Sequence, residues 1–201
     1  MHNHQHYQKL REGFEVWKQW RLENPELDLT NSIISAKHIY PQQLTNVFDN
    51  LDFSGLNLSN LQFIDVNLRH ANFQEAILRQ TLFGNGVVLD GCDFTDCTFD
   101  NTTFDLCELV KCKFNNKCNI ITGLKFRESV CQLIEVSGRL ERVSFNLSTL
   151  DHITFSEITF NQCCFINTTI DHCDFADSEF IGGSCNYSPP ASLRQLASHT
   201  S

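Results

Sequence analysis

Phe53-Ser-Gly-Leu-Asn-Leu58-Ser-Asn-Leu-Gln-Phe63-Ile-Asp-Val-Asn-Leu68-Arg-His-Ala-Asn-Phe73 carries a bulky apolar residue at every fifth position. The beat resumes at Phe94, Phe99, Phe104, Leu109 and Phe114, and again from Phe145 through Phe180. Every phenylalanine except Phe14 keeps it. This spacing matches neither the helical period of about 3.6 nor the strand period of about 2, so no amphipathic helix or simple strand explains it. Fixed self-similarity signals a repeat architecture instead. Two positions before each bulky residue sits a smaller one: Ala71 before Phe73, Ala76 before Leu78, Cys92 before Phe94, Thr102 before Phe104. Residues two apart on an extended segment point to one side, so both members of the unit face inward. Turn formers such as Ser54-Gly55, Ser59-Asn60 and Thr95-Asp96 follow and bend the chain.

The units Leu51-Asp52-Phe53-Ser54-Gly55, Ala71-Asn72-Phe73-Gln74-Glu75 and Cys92-Asp93-Phe94-Thr95-Asp96 resemble those of the pentapeptide-repeat proteins, whose pattern is small, Asp/Asn, Leu/Phe, Ser/Thr/Arg, Gly. The resemblance runs over residues 48–185 and implies an all-β solenoid, a right-handed quadrilateral β-helix in which four units make one coil. It implies about seven coils, each rising by about 4.8 Å, and a rod about 33 Å long. Independently of the family, Ser148-Thr-Leu-Asp-His-Ile-Thr-Phe-Ser-Glu aligns with Thr168-Thr-Ile-Asp-His-Cys-Asp-Phe-Ala-Asp twenty residues later. The structural core is expected to be the ladder of Phe53, Phe63, Phe73, Phe94, Phe99, Phe104, Phe114, Phe145, Phe155, Phe165 and Phe175.

The regular coils are flanked by different patterns. Residues 1–28 read as a disordered start followed by a capping helix from about Lys9 to Glu23, ended by Pro25. Phe14, Trp17 and Trp20 are the expected cap, since the first coil otherwise exposes an apolar disc and unpaired backbone groups. The segment from Trp17 to Thr30 resembles the one preceding the coils in cyanobacterial-type pentapeptide proteins. The β-helix is expected over residues 29–185, with Leu29, Ile34, Ile39 and Leu44 forming a degenerate first coil and a loop near Tyr40-Pro41. Gly84-Asn85-Gly86 precedes a one-residue slip and reads as a corner bulge. Between Phe114 and Phe145 the repeat frays, which predicts exposed insertions. Residues 186–201 form a C-terminal tail. The last coil is either covered by that tail, giving a monomer, or meets a second copy in a homodimer.

The chain has 10 cysteines and no CxxC pair, so the usual zinc spacing is missing. Cys92, Cys97, Cys107, Cys112, Cys163 and Cys173 fall in the small inward slot, where a reduced thiol acts as a small hydrophobe. Cys131 and Cys185 take ladder positions, and Cys118 and Cys164 fall elsewhere. A stack aims Cys92 and Cys112 alike rather than at each other. No apolar run reaches the length of a membrane span, and the start has no secretory pattern, so a cytoplasmic location is expected.

A filled rod is expected to offer flat faces without a cavity, and no Ser-centred elbow, HExxH or phosphate-cradling glycine motif is present. The expectation is therefore a protein that is not an enzyme and holds no cofactor or metal. The best local constellation is Asp151-His152 beneath Asp171-His172. It could hold a divalent ion, but corner positions in such a repeat are exposed and polar, so the sequence alone favours a solvated corner.

Charge is unevenly spread over a net of −9. From Val143 to Leu193 there is no Lys or Arg, against Asp151, Glu157, Asp171, Asp174, Asp177 and Glu179. These are the candidate acidic interaction surface. A second acidic stretch, Asp90 to Glu108, is separated from them by a belt of Lys111, Lys113, Lys117, Lys125, Arg127, Arg139 and Arg142. No uninterrupted basic face exists for nucleic acid. The functional expectation is a rigid rod that engages another protein. The alternative is a mimic of DNA acting on a type II topoisomerase such as DNA gyrase, a role the family resemblance brings with it.

Overall fold

The computed structural model describes residues 8–10, 12, 14–24, 29–35, 48–116 and 120–185. The calls on residues 1–7, on Ile39, Leu44 and Tyr40-Pro41, on Lys117 and Cys118, and on the 186–201 tail lie outside these residues.

Every strand pair is parallel and joins residues about one coil apart, as when a chain winds repeatedly around one axis. Four ladders result. The first wall carries Phe53, Phe73, Phe94, Phe114 and Val136, then Phe155 and Phe175. The second carries Leu58, Leu78 and Phe99, then Ile121, Leu140, Phe160 and Phe180. Ile34, Phe63, Phe83, Phe104, Phe126, Phe145 and Phe165 line the third. Leu68, Leu89, Leu109, Cys131, Leu150 and Ile170 line the fourth. The molecule is a four-sided β-solenoid of about six turns. This is fewer than the seven expected, because residues 36–47 lie outside the described coils.

Aromatic geometry explains why phenylalanine dominates the first and third walls. On the third wall, ring centroids repeat at 4.9, 4.8, 5.1, 5.0 and 5.1 Å from Phe63 to Phe165, with planes nearly parallel over most of the run. These spacings match the rise of one strand. Across the axis the rings meet edge to face, as Phe63 and Phe73 do at 5.9 Å and 88°. Both arrangements suit the ring quadrupole. All eleven core phenylalanines named above are buried.

The small slots do more than save space. Cys92 donates its thiol to the Leu68 carbonyl at 2.8 Å, Cys97 to Phe73 at 2.8 Å and Cys112 to Leu89 at 2.6 Å. Thr81 and Thr168 make the same bond through hydroxyls, to Leu58 and Phe145. A slot residue thus bonds the carbonyl of a ladder residue in the preceding coil, so the thiols are donors as well as small hydrophobes. The cysteines of the described side chains are free; Cys173 and Cys164 are only partly buried. Burial pushes the Cys107 thiol up to about 12 and the Cys163 thiol up to about 11.

That shift has a sign. Unfolded thiols ionise near pH 8.5 while these stay protonated when folded, so their contribution is intact below that pH and is lost toward about 11 for Cys163 and about 12 for Cys107. The melting temperature is expected to fall above pH 9, and less steeply in a Cys107→Ala, Cys163→Ala double variant. Identical slopes in calorimetric scans would contradict the assignment. At pH 8 a thiol reagent should modify Cys164 and Cys173 before the buried cysteines.

Corners are made by residues with positive φ, among them Asn60 (59°), Glu75 (60°), Leu106 (56°), Leu133 (53°), Leu147 (60°), His152 (51°) and His172 (47°). Leu106, Leu133 and Leu147 are also exposed, so these corners are not uniformly polar. The coils differ in length at their corners. Twenty residues separate Phe63 from Phe83, twenty-one Phe83 from Phe104, twenty-two Phe104 from Phe126 and nineteen Phe126 from Phe145. The first gain lies at Asn85-Gly86, whose φ values are 58° and 87°, just past the strand Leu82–Gly84. Between Phe114 and Phe145 the expected fraying is local. Lys125–Arg127, Val130–Gln132 and Arg139–Glu141 pair with the coils on both sides, whereas Ile120–Thr122 pairs only with Arg139–Glu141 among the described strands.

At the N-terminal end, the expected continuous helix is interrupted. Residues 8–10 are helical, Glu12 lies in a turn, and the helix proper is Phe14–Glu23. Trp17 is buried 5.9 Å from Phe53, and its Nε1 donates to the Asp52 carbonyl at 2.8 Å. Trp20 is half-buried, 5.8 Å from Trp17. Arg21 bonds the carbonyls of Asp52 and Ser54 and pairs with the Asp52 carboxylate at 2.6 Å. The helix thus covers the apolar end of the first coil and supplies donors to its backbone edge.

Candidate functional site: a groove on the first wall

Val136 occupies a rung of the first wall where phenylalanine stands in the neighbouring coils. The next ladder residue, Leu140, follows after four positions rather than five. The strand Glu135–Val136 pairs with Lys113–Phe114 alone among the described strands. The wall therefore opens between this strand and Thr154. A groove of about 400 Å³ results, lined by Asn115, Leu133, Ile134, Glu135, Val136, His152, Thr154 and Ser156. Behind it, a void of about 10 Å³ lies among Phe114, Val136, Phe155 and their neighbours, where the smaller valine leaves its rung underfilled. The expectation of uniformly flat faces is corrected here.

The corner beside the groove is built by register. Gln132 pairs with Asp151, and Asp151 with Asp171. The next residues, Leu133, His152 and His172, all adopt positive φ and turn outward together. The two imidazoles stack with centroids 4.5 Å apart and planes 21° from parallel. Asp151 Oδ1 lies 2.6 Å from His152 Nδ1 and 3.5 Å from His172 Nδ1, and Asp171 Oδ1 lies 3.1 Å from His172 Nδ1. Gln132 donates to Asp151 Oδ2 at 2.8 Å. Burial alone would raise the Asp151 pKa, but the bonds from Gln132 and then His152 outweigh it and hold the carboxyl below its ordinary value.

The remaining acidic candidates surround the same wall. Glu157 and Asp177 occupy its far corner, at φ 60° and 55°. Asp174 pairs with Thr154 across the ladder, is exposed, and accepts a bond from the Ala176 N–H at 2.9 Å. Glu179 is exposed on the second wall. Asp151 is half-buried and Asp171 is exposed. In the basic belt, Arg127 bonds Asp105 at 2.7 Å, which raises its pKa. Of the cap candidates, Phe14 lies in the helix Phe14–Glu23, while Trp17 and Trp20 sit on the first coil. The groove itself and Arg21 as a donor to the coil edge were not singled out from sequence, although His152, one of the groove residues, was. The one readable signal for the groove was valine at a ladder position four residues before the next.

A family model described as Pentapeptide repeats (9 copies) matches residues 65–113, and parallel strands of the same solenoid lie on both sides of that span. Residues 65–113 carry the repeats of the pentapeptide-repeat family. Among solved pentapeptide-repeat structures, full-length QnrB1, a plasmid-mediated fluoroquinolone resistance protein, is 17% identical. The match covers 83% of this chain and 95% of that one, with a TM-score of 0.39. A trypsin-treated variant of QnrB1 is 20% identical over 85% of this chain and 92% of that one, with a TM-score of 0.43. HetL, a pentapeptide-repeat protein involved in heterocyst differentiation regulation from the cyanobacterium Nostoc sp., is 8% identical over 81% and 92%, with a TM-score of 0.29. No curated protein matches the chain. Among the described residues, no helix is long and apolar enough to cross a membrane.

Proposed function

We propose that this pentapeptide-repeat protein is a non-catalytic rod that docks a partner protein on its first wall. The observation that carries this reading is the solvent-open groove lined by Leu133, Ile134 and Val136 together with Glu135, His152, Thr154 and Ser156, with Asp151 and Glu157 next in sequence to lining residues and Asp174 paired with Thr154. Three apolar lining residues near these acids suit a partner that inserts an apolar side chain and surrounds it with Lys or Arg. A Glu157→Lys, Asp174→Lys, Asp177→Lys variant is expected to keep its melting temperature, since exposed charges contribute little to stability. It is expected to lose the partners that the native rod captures from host lysate at low salt. Capture of the same partners by both proteins would overturn the reading.

A second reading, a DNA mimic directed at a type II topoisomerase, is favoured by one observation. The chain carries no Lys or Arg from Val143 to Leu193, against six acids in its last two coils. Two coils rise by about 10 Å, and B-DNA holds about six charges in that length. The whole rod falls short of this density, because its net charge is −9 and the basic belt interrupts its acidic surface. A DNA gyrase supercoiling assay with and without quinolone tests the mimic. No effect at micromolar protein removes it.

A further inference from the structure

We propose that Asp151, His152 and His172 bind one divalent transition-metal ion of the zinc class at the corner beside the groove. One ligand atom from each side chain lies within 4.8 Å of the others. Zinc bonds imidazole nitrogen and carboxylate oxygen at about 2.0–2.2 Å, so ligands sharing one ion stand at most about 4 Å apart. The Asp151 oxygen already lies 2.6 and 3.5 Å from the two Nδ1 atoms. Binding would turn the two stacked imidazoles so that their in-plane lone pairs converge, and both side chains are exposed and have room to turn.

The backbone brings these side chains together. Parallel register places Asp151 beneath Asp171 and His152 beneath His172, and nearly equal φ values at the two histidines put both rings on the same side. Gln132, bonded to the other Asp151 oxygen at 2.8 Å, orients the carboxylate as an outer-shell partner does in metal sites. Two imidazoles with a carboxylate suit zinc, nickel or copper, whereas calcium and magnesium favour all-oxygen cages. Three protein ligands leave a fourth position open, and one of the three, His152, also lines the groove. The site does not depend on the docking reading: charge reversal at Glu157, Asp174 and Asp177 tests docking and leaves all three ligands intact.

His2, His4 and His6 are a separate source of metal binding, so the reference is the full-length chain carrying His2→Gln, His4→Gln and His6→Gln. Zinc chloride titrated into this protein by calorimetry is expected to bind at one ion per chain, with no displacement by millimolar calcium. Cobalt substitution is expected to give the visible absorption of a tetrahedral site. His172→Ala and His152→Ala should each weaken binding by about tenfold or more while leaving the melting temperature of the metal-free protein unchanged. Zinc affinity unaltered in both variants, or no saturable binding by the reference protein, would overturn the site.

Discussion

Phe155→Asp is expected to leave the chain without a folded state. Phe155 is fully buried, stacked on Phe175 at 4.9 Å and meeting the edges of Phe145 and Phe160 at 6.2 and 5.4 Å. Removing the ring costs about 3–5 kcal/mol. Placing a carboxylate on the axis adds a desolvation cost of several kcal/mol, with no cation to offset it. Together these approach or exceed the about 5–15 kcal/mol that holds a typical domain folded. Cys163→Arg should fail for the same reason, because Cys163 is buried with its thiol bonded to the Leu140 carbonyl at 3.2 Å. Phe155→Leu keeps an apolar group there and should fold at a cost of about 1–3 kcal/mol. Circular dichroism and calorimetry decide the matter; a cooperative transition in Phe155→Asp near that of the native protein would refute the axial packing.

Trp17→Ala is expected to cost about 3–5 kcal/mol, but its signature is spatial. In a solenoid each coil contacts only its neighbours, so damage at one end spreads weakly. Loss of Trp17 removes the indole from Phe53 and its Nε1 donor from the Asp52 carbonyl. Amide exchange should accelerate in the first coils, around Phe53 and Phe63, and stay slow around Phe145 and Phe165. Arg21 retains its bonds to Asp52 and Ser54, so fraying should deepen further in a Trp17→Ala, Arg21→Ala double variant. Uniformly altered exchange along the rod would mean that the helix supports the whole stack rather than its first coil.

The ladders were legible because each repeat unit encodes its own fate. A large residue, a small one two places earlier and a turn pair specify one wall and one bend, and Phe53 to Phe73 contain a complete coil. Coil length was harder to read. A one-residue change at a corner leaves the next wall in phase, so the gain at Asn85-Gly86 and the loss before Leu140 look like slips of rhythm. Their consequence depends on the coil above. The loss before Leu140 unpairs Glu135–Val136 from Thr154 and opens the groove, whereas the gain at Gly86 is absorbed because Gly86 bonds the Leu106 carbonyl at 3.0 Å. The slot thiols show the same limit. Their size was readable from the pattern, but their bonds to carbonyls of the preceding coil, such as Cys92 to Leu68, need the stacked chain. The histidine pair was visible as a twenty-residue echo, and the meeting of both rings on one Asp151 oxygen was not.

Uneven coil lengths also set where foreign sequence can be tolerated. A spiral staircase accepts a landing without disturbing the treads above it, and this rod does so at Asn85-Gly86, both exposed to solvent. A recognition peptide spliced between them would stand on a stiff post, with the phenylalanine column on either side still in step.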